Sequence, residues 1–187
     1  MVVADGVQLD LVLPPNRWVD VDTLAEKTLQ GLRDAGALPP RYAGLDALLA
    51  TKGEGLPTGV GIGMVTAAVI GRRRVPGPAD LEVTADLLPR PGHRDIKRAW
   101  RERLARAWGP QAPMDGDVWA DVELPVTGSL LAPLEVVLDA LEPVLGRDPR
   151  GRAWQEFFPN DHRITWLRVR RGVAGSLLRL RLGRQPS

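Results

Sequence analysis

The chain has 187 residues, 44% of them hydrophobic, with 25 Lys and Arg against 23 Asp and Glu and no Cys. This length and apolar content support a substantial core and exclude a disordered chain, while the lack of Cys excludes a disulfide framework and a thiolate site. No basic segment followed by a long apolar run opens the chain and no window approaches a membrane span, so a soluble, cytoplasmic protein with no membrane partner is expected.

The first alternating run, residues 7–13 (VQLDLVL), predicts a strand that reaches Leu13-Pro14. A helix follows, starting near Asp20 or Asp22 and ending before Gly36, with Leu24, Thr28, Leu32 and Ala35 spaced for one buried face and Gly36 at the position after the cap. Gly- and Pro-rich stretches at 37–44 and 52–59 read as loops around a second strand at 45–49, and a third strand is expected at 58–64. In that third strand Gly59, Gly61 and Gly63 alternate without the following helix that a phosphate-cradling loop requires. The stretch GRRRVPGPA at 71–79 has the composition of a linker or exposed loop.

Beyond it, Leu81-Glu82-Val83 reads as a short strand. Residues 94–107 read as an amphipathic helix with Ile96, Trp100 and Leu104 inward and Arg94, Lys97, Arg98, Arg101 and Arg106 outward. Then the opening pattern returns: the alternating run 118–124 (VWADVEL), Leu124-Pro125, a helix over 129–145 with Ser129 as its cap, and strands at 162–169 and 174–182. Two copies of one β-helix-β-β unit are the natural parse.

The charge is uneven. Residues 1–66 hold five Lys and Arg against eight acids, whereas residues 147–187 hold ten Arg against three acids. The C-terminal segment either faces a polyanion or is an ordinary solvated face rich in Arg. Trp100, Trp108, Trp119, Trp154 and Trp166 are each expected as core or interface anchors rather than base-stacking platforms, and Phe157-Phe158 as a hydrophobic lid or as a wedge. His93 and His162 have no second ligand at zinc spacing.

Asp20-Val21-Asp22 is the sharpest local signal. Alternate residues at a strand-to-helix junction can present two carboxylates to one Mg²⁺; equally, one Asp can cap the helix while the other meets its positive end. The stretch DVDTLAEKTLQGLRDAG (20–36) resembles the central motif of the RusA-type Holliday-junction resolvases, which reads Asp-x-Asp-Asn-Leu, then a Lys four residues after the second Asp, a helix, and an Asp-Asp pair before an apolar strand. VVLDALEPVLG (136–146) and NDHRITWLRVRRG (160–172) resemble the later parts of the same motif. The resemblance implies an α/β fold of two related RusA-like units with mixed sheets packed as a pseudo-dimer, a truncated one over 1–70 and a complete but degenerate one over 71–187.

It also implies a Mg²⁺-dependent endodeoxyribonuclease acting on branched or duplex DNA in recombination or repair, with self-association possible. The family's metal-binding Asp pair falls on Asp20 and Asp22, its Asn on Thr23, its Lys on Glu26 and its later acidic pair on Pro40 and Arg41. In the second unit the same positions fall on Ser129, Leu131, Glu135 and Asn160-Asp161. Neither unit keeps the full set. Glu26, one helical turn beyond Asp22, is the candidate replacement ligand, giving an expected catalytic and metal-binding cluster of Asp20, Asp22 and Glu26. Because the family's carboxylates meet within one subunit, the two half-sites are expected apart, and a composite of Asp20 and Asp22 with Asp161 is the disfavoured arrangement. Arg98, Arg101, Arg168, Arg170 and Arg171 are the expected phosphate contacts. The alternative is a non-catalytic nucleic-acid-binding or structural protein on the same scaffold.

Overall fold

Alternation in the first strand sorts Val7, Leu9 and Leu11 into the core and turns Gln8 and Asp10 away from it. This strand, β1 (Gly6–Leu13), leads through α1 (Val21–Asp34), β2 (Ala47–Glu54), β3 (Gly59–Val65), α2 (Ala67–Arg72), β4 (Leu81–Ala85) and α3 (Arg94–Trp108). The chain continues through β5 (Val118–Leu124), α4 (Leu131–Asp139), α5 (Glu142–Leu145), β6 (Ile164–Arg171) and β7 (Leu178–Arg184). The computed structural model describes residues 5–13, 20–37, 45–54, 59–86, 94–173 and 175–186. Pro14, Pro40, Arg41 and His93 lie outside them.

The seven strands among the described residues form one mixed sheet in the order β3-β1-β2-β6-β5-β7-β4. β1 runs parallel to β2 and antiparallel to β3. Likewise β5 runs parallel to β6 and antiparallel to β7. The two β-helix-β-β segments therefore pair their strands in the same order and sense. They meet edge to edge where β2 pairs antiparallel with β6, Ala47 opposite Arg170 and Thr51 opposite Trp166. β4 adds itself outside β7.

The main core fills one face of this sheet, where α1, α3 and α4 cover Leu9, Leu48, Val122, Leu167 and Leu180. On the other face Ile70 of α2 packs on Ala47 and Leu49, with Trp166 partly buried beside them. Three tryptophans, Trp100, Trp108 and Trp119, are buried anchors as expected, but Trp154 is 74% exposed.

Several element boundaries have local causes. Helix α1 buries Val21, Ala25 and Leu29, a face rotated from the expected one; Leu24 and Leu32 are only partly buried and Ala35 is exposed. It ends as expected at Gly36, whose φ of 71° lets its N–H reach Arg33 O (2.9 Å) while Ala37 N–H reaches Leu32 O (2.8 Å). The helix expected over 129–145 is broken into α4 and α5. Pro143 accounts for the break, because it has no N–H and its ring clashes with the carbonyl four residues back, that of Asp139. Helix α2 was not foreseen beside the predicted linker; Thr66 caps it by accepting the Val69 N–H.

Candidate functional site

Strand sense decides which residues can meet. In a strand-helix-strand unit with parallel strands, the helix starts at the C-terminal end of the first strand and the second strand starts at the opposite end of the sheet. The start of α1 and the residues preceding β2 are thus separated by the helix length, roughly 21 Å for 14 residues. The antiparallel β2–β6 pairing changes this, because it places the N-terminal end of β6 beside the C-terminal end of β2. Asp161, in the short 3-10 turn Asp161–Arg163 that leads into β6, therefore reaches the end of the sheet where α1 begins. The arrangement expected to be disfavoured is the one found: Asp20, Asp22 and Asp161 line one groove.

This groove, of about 310 Å³, lies between α1 and α4. Its walls carry Asp20, Asp22 and Glu26 from the first half and Glu135, Asp139, Asp148 and Asp161 from the second, with Arg150 as the one basic lining residue among those described. Phe157, Phe158 and Pro159 form an apolar wall of the groove. Lys97 pairs with Asp139 and sits 5.2 Å from the centre of the Phe157 ring.

The carboxylates are held under electrostatic stress. Asp20 occupies the N-cap position of α1 but makes no side-chain capping bond, so the capping reading does not account for it. Asp22 accepts the Thr23 N–H, yet burial, with help from the charges of Asp20 and Asp139, pushes its carboxyl up to about 6. Asp161 is pushed further, to about 8, first by burial, then by Asp20 and Asp22, and by a hydrogen bond it shares with Asp20. Burial and its acidic neighbours thus both favour the protonated form of Asp161. Glu26 lines the groove one turn along α1, as expected.

Lys52, at the C-terminal end of β2, was missed by the sequence reading. Its Nζ donates to the His162 carbonyl (2.7 Å), and its charge faces Asp20, Asp161, Asp117 and Asp22. Burial lowers its pKa, and those four carboxylates oppose the shift. Behind Asp161, buried Asp148 is held by Arg150 and stands 3.5 Å from His162 Nδ1. Burial lowers the His162 pKa, with Asp148 opposing.

The corresponding positions in the second half are not acidic. Ser129 Oγ accepts the Leu131 N–H (3.2 Å), and Leu131 presents an apolar side chain to the groove. Seven carboxylates and the Thr23 hydroxyl supply the side-chain oxygens of the groove walls, the hard-ligand chemistry that suits Mg²⁺. Among the described residues, no group of three or more His, Cys, Asp or Glu side chains is set to hold a metal ion as it stands.

The five arginines expected on phosphate all have acidic partners. Arg98 pairs with Glu156 (2.5 Å), Arg101 with Glu142 (2.9 Å), Arg170 with Glu123 (3.2 Å) and Arg171 with Asp46 (2.6 Å). Arg168 requires a correction, since it is only 4% exposed. Its guanidinium grips both oxygens of Asp121 (2.7 and 2.8 Å) and donates to Gly71 O at the end of α2 (3.3 Å). It faces the protein, not a ligand.

No helix among the described residues is long and apolar enough to cross a membrane. Comparison of the chain with family models, with curated proteins and with solved structures gave no match.

Proposed function

We propose that the chain is a Mg²⁺-dependent endodeoxyribonuclease acting on branched DNA, built from two RusA-like units packed as a pseudo-dimer with its acidic site at their seam. The observation that carries this reading is the meeting of Asp20 and Asp22 with Asp161 in one partly desolvated groove, each half supplying what the other lacks. Repeated strand order on either side of the β2–β6 seam supports the pseudo-dimer. The Asp-x-Asp pattern and the acid preceding an apolar strand support the family.

In this reading Asp20, Asp22 and Asp161 hold the ion, with Glu26 within one turn. A bound Mg²⁺ supplies a water of lowered pKa and offsets charge on the scissile phosphate. Asp161 must first give up its proton, so ion binding releases protons and strengthens as pH approaches 8. Lys52 places a positive charge beside the cluster, a role the family assigns to a lysine at the position of Glu26.

A second reading is a non-catalytic nucleic-acid-binding or structural protein on the same scaffold, and the intramolecular pairing of the five arginines favours its structural form. Cleavage of a labelled four-way junction with Mg²⁺ or Mn²⁺ separates the two. The nuclease reading expects cleavage by the wild type, its loss in both Asp20→Asn and Asp161→Asn, and its retention in Ser129→Ala. A wild type that cuts neither junction, fork nor duplex establishes the second reading.

A further inference from the structure

The loop over 147–159 forms one wall of the acidic groove. It closes on itself where Arg147 bridges to Pro159 and Asp148 N–H meets Phe158 O (3.0 Å). Inside, the Arg147 guanidinium donates to the carbonyls of Arg152 and Gln155 (both 2.7 Å), and Gln155 Oε1 accepts the Arg152 N–H (2.6 Å). Gly151 lies against Phe158 so closely that an added Cβ would fall 2.5 Å from the ring. The loop is therefore built to one shape.

That shape presents Trp154 to solvent, 74% exposed, about halfway between the two closure points. Among the described residues the other exposed large apolar side chains lie on β3, α2 and the β6–β7 connection, so none of them shares this loop with Trp154. A protein partner needs a rim of apolar surface around such an anchor. A nucleobase needs only one ring face. Arg152, two residues away, is exposed and has no ion-pair partner among the described residues, which supplies a cation for the adjoining phosphate.

We propose that the loop tip is a single-strand platform: an unpaired base stacks on the Trp154 indole while Arg152 contacts its phosphate. This deepens the nuclease reading, on which it rests for the role of the groove, by naming the substrate feature read beside the acids as unpaired bases. The base-stacking platform was not expected from sequence, where every tryptophan reads as an anchor.

The test is binding of fluorescein-labelled DNA to the full chain in EDTA, so that cleavage plays no part. Trp154→Ala is expected to weaken binding to a single-stranded oligonucleotide and to a gapped junction by about tenfold, and to perfect duplex by less than about twofold. Trp154→Phe should recover most of the loss, and Arg152→Ala should lower the salt slope for the single strand by about 0.7. Equal losses on single strand and duplex, or no loss on either, overturn the proposal; so does a Trp154→Ala effect confined to self-association in light scattering. A wild type that binds single strands through Trp154 but never cleaves leaves the platform standing and removes only the nuclease reading.

Discussion

Asp161 shares a hydrogen bond with Asp20, although one precedes β6 in the second half of the chain and the other opens α1 in the first. Burial of Asp161 and the facing charges of Asp20 and Asp22 raise its pKa, so the two halves of the chain meet in one electrostatic unit. Removing either partner should therefore cost activity through ion placement rather than DNA affinity. Asp20→Asn, Asp22→Asn and Asp161→Asn are each expected to slow Mg²⁺-dependent junction cleavage by about 100-fold or more, the scale of several kcal/mol. DNA affinity in EDTA should change little. Unchanged cleavage in Asp161→Asn, with loss in the other two, would return the site to Asp20, Asp22 and Glu26 alone.

The repeated β-helix-β-β order was legible because each element carries its own periodicity. The position of Gly36 and the burial of Trp100 were legible for the same local reason. The site was not, because it depends on how β2 finds β6. Nothing in residues 45–54 or 162–171 states that they pair antiparallel, and only that pairing carries Asp161 across to α1. Lys52 was hidden by the same fact: in sequence it is a lysine leaving a strand, and its acidic neighbours come mostly from elsewhere. Arg168 shows the reverse error. A charged residue in an alternating strand reads as solvated, yet Asp121 on the neighbouring strand β5 makes its burial tolerable.

Stability against pH gives a second prediction. Asp161 moves from 3.8 to about 8 on folding, so between those values the folded chain keeps a proton that the unfolded chain has lost. Its contribution is fully present below about pH 4 and disappears as pH rises through 8. Asp22 behaves alike but finishes near 6. His162 works the other way, its lowered pKa removing stability only as pH falls below 6.5. In EDTA the melting temperature of the wild type should therefore fall as pH rises from about 6.5, where the opposing His162 effect ends, to about 8, and level off above it. The lowered pKa of Lys52 acts in the opposite sense and is deepened in Asp161→Asn, which loses one of the carboxylates opposing it, so the difference between the two proteins reads Asp161 together with its effect on Lys52. Parallel profiles for wild type and Asp161→Asn would contradict the assigned proton.

Arg168 should matter for folding and not for DNA. Arg168→Ala leaves buried Asp121 with Arg181 and Arg170 as its remaining cations and strips the donor from the end of α2. A loss of about 3 kcal/mol is expected, or roughly 6–12 °C in Tm for a chain of this size. Any loss of DNA binding should track the unfolded fraction. A stable Arg168→Ala protein with selectively weakened DNA affinity would restore Arg168 to the nucleic-acid surface.

Lys52 distinguishes a cation that balances the groove from one that merely ties two strands. Its Nζ bond to the His162 carbonyl would be lost in Lys52→Met whatever its role, at a cost of about 1–2 kcal/mol. If its charge also offsets Asp20 and Asp161, the metal-free variant loses more stability at pH 8 than at pH 6, where Asp161 holds its proton more fully. Millimolar Mg²⁺ should then stabilise Lys52→Met more than it stabilises the wild type, because the divalent ion replaces the missing positive charge. Thermal melts with EDTA and with Mg²⁺ at both pH values read this directly. The same Mg²⁺ increment in the two proteins, with a pH-independent loss, would reduce Lys52 to a hydrogen-bond donor that holds β2 against the start of β6.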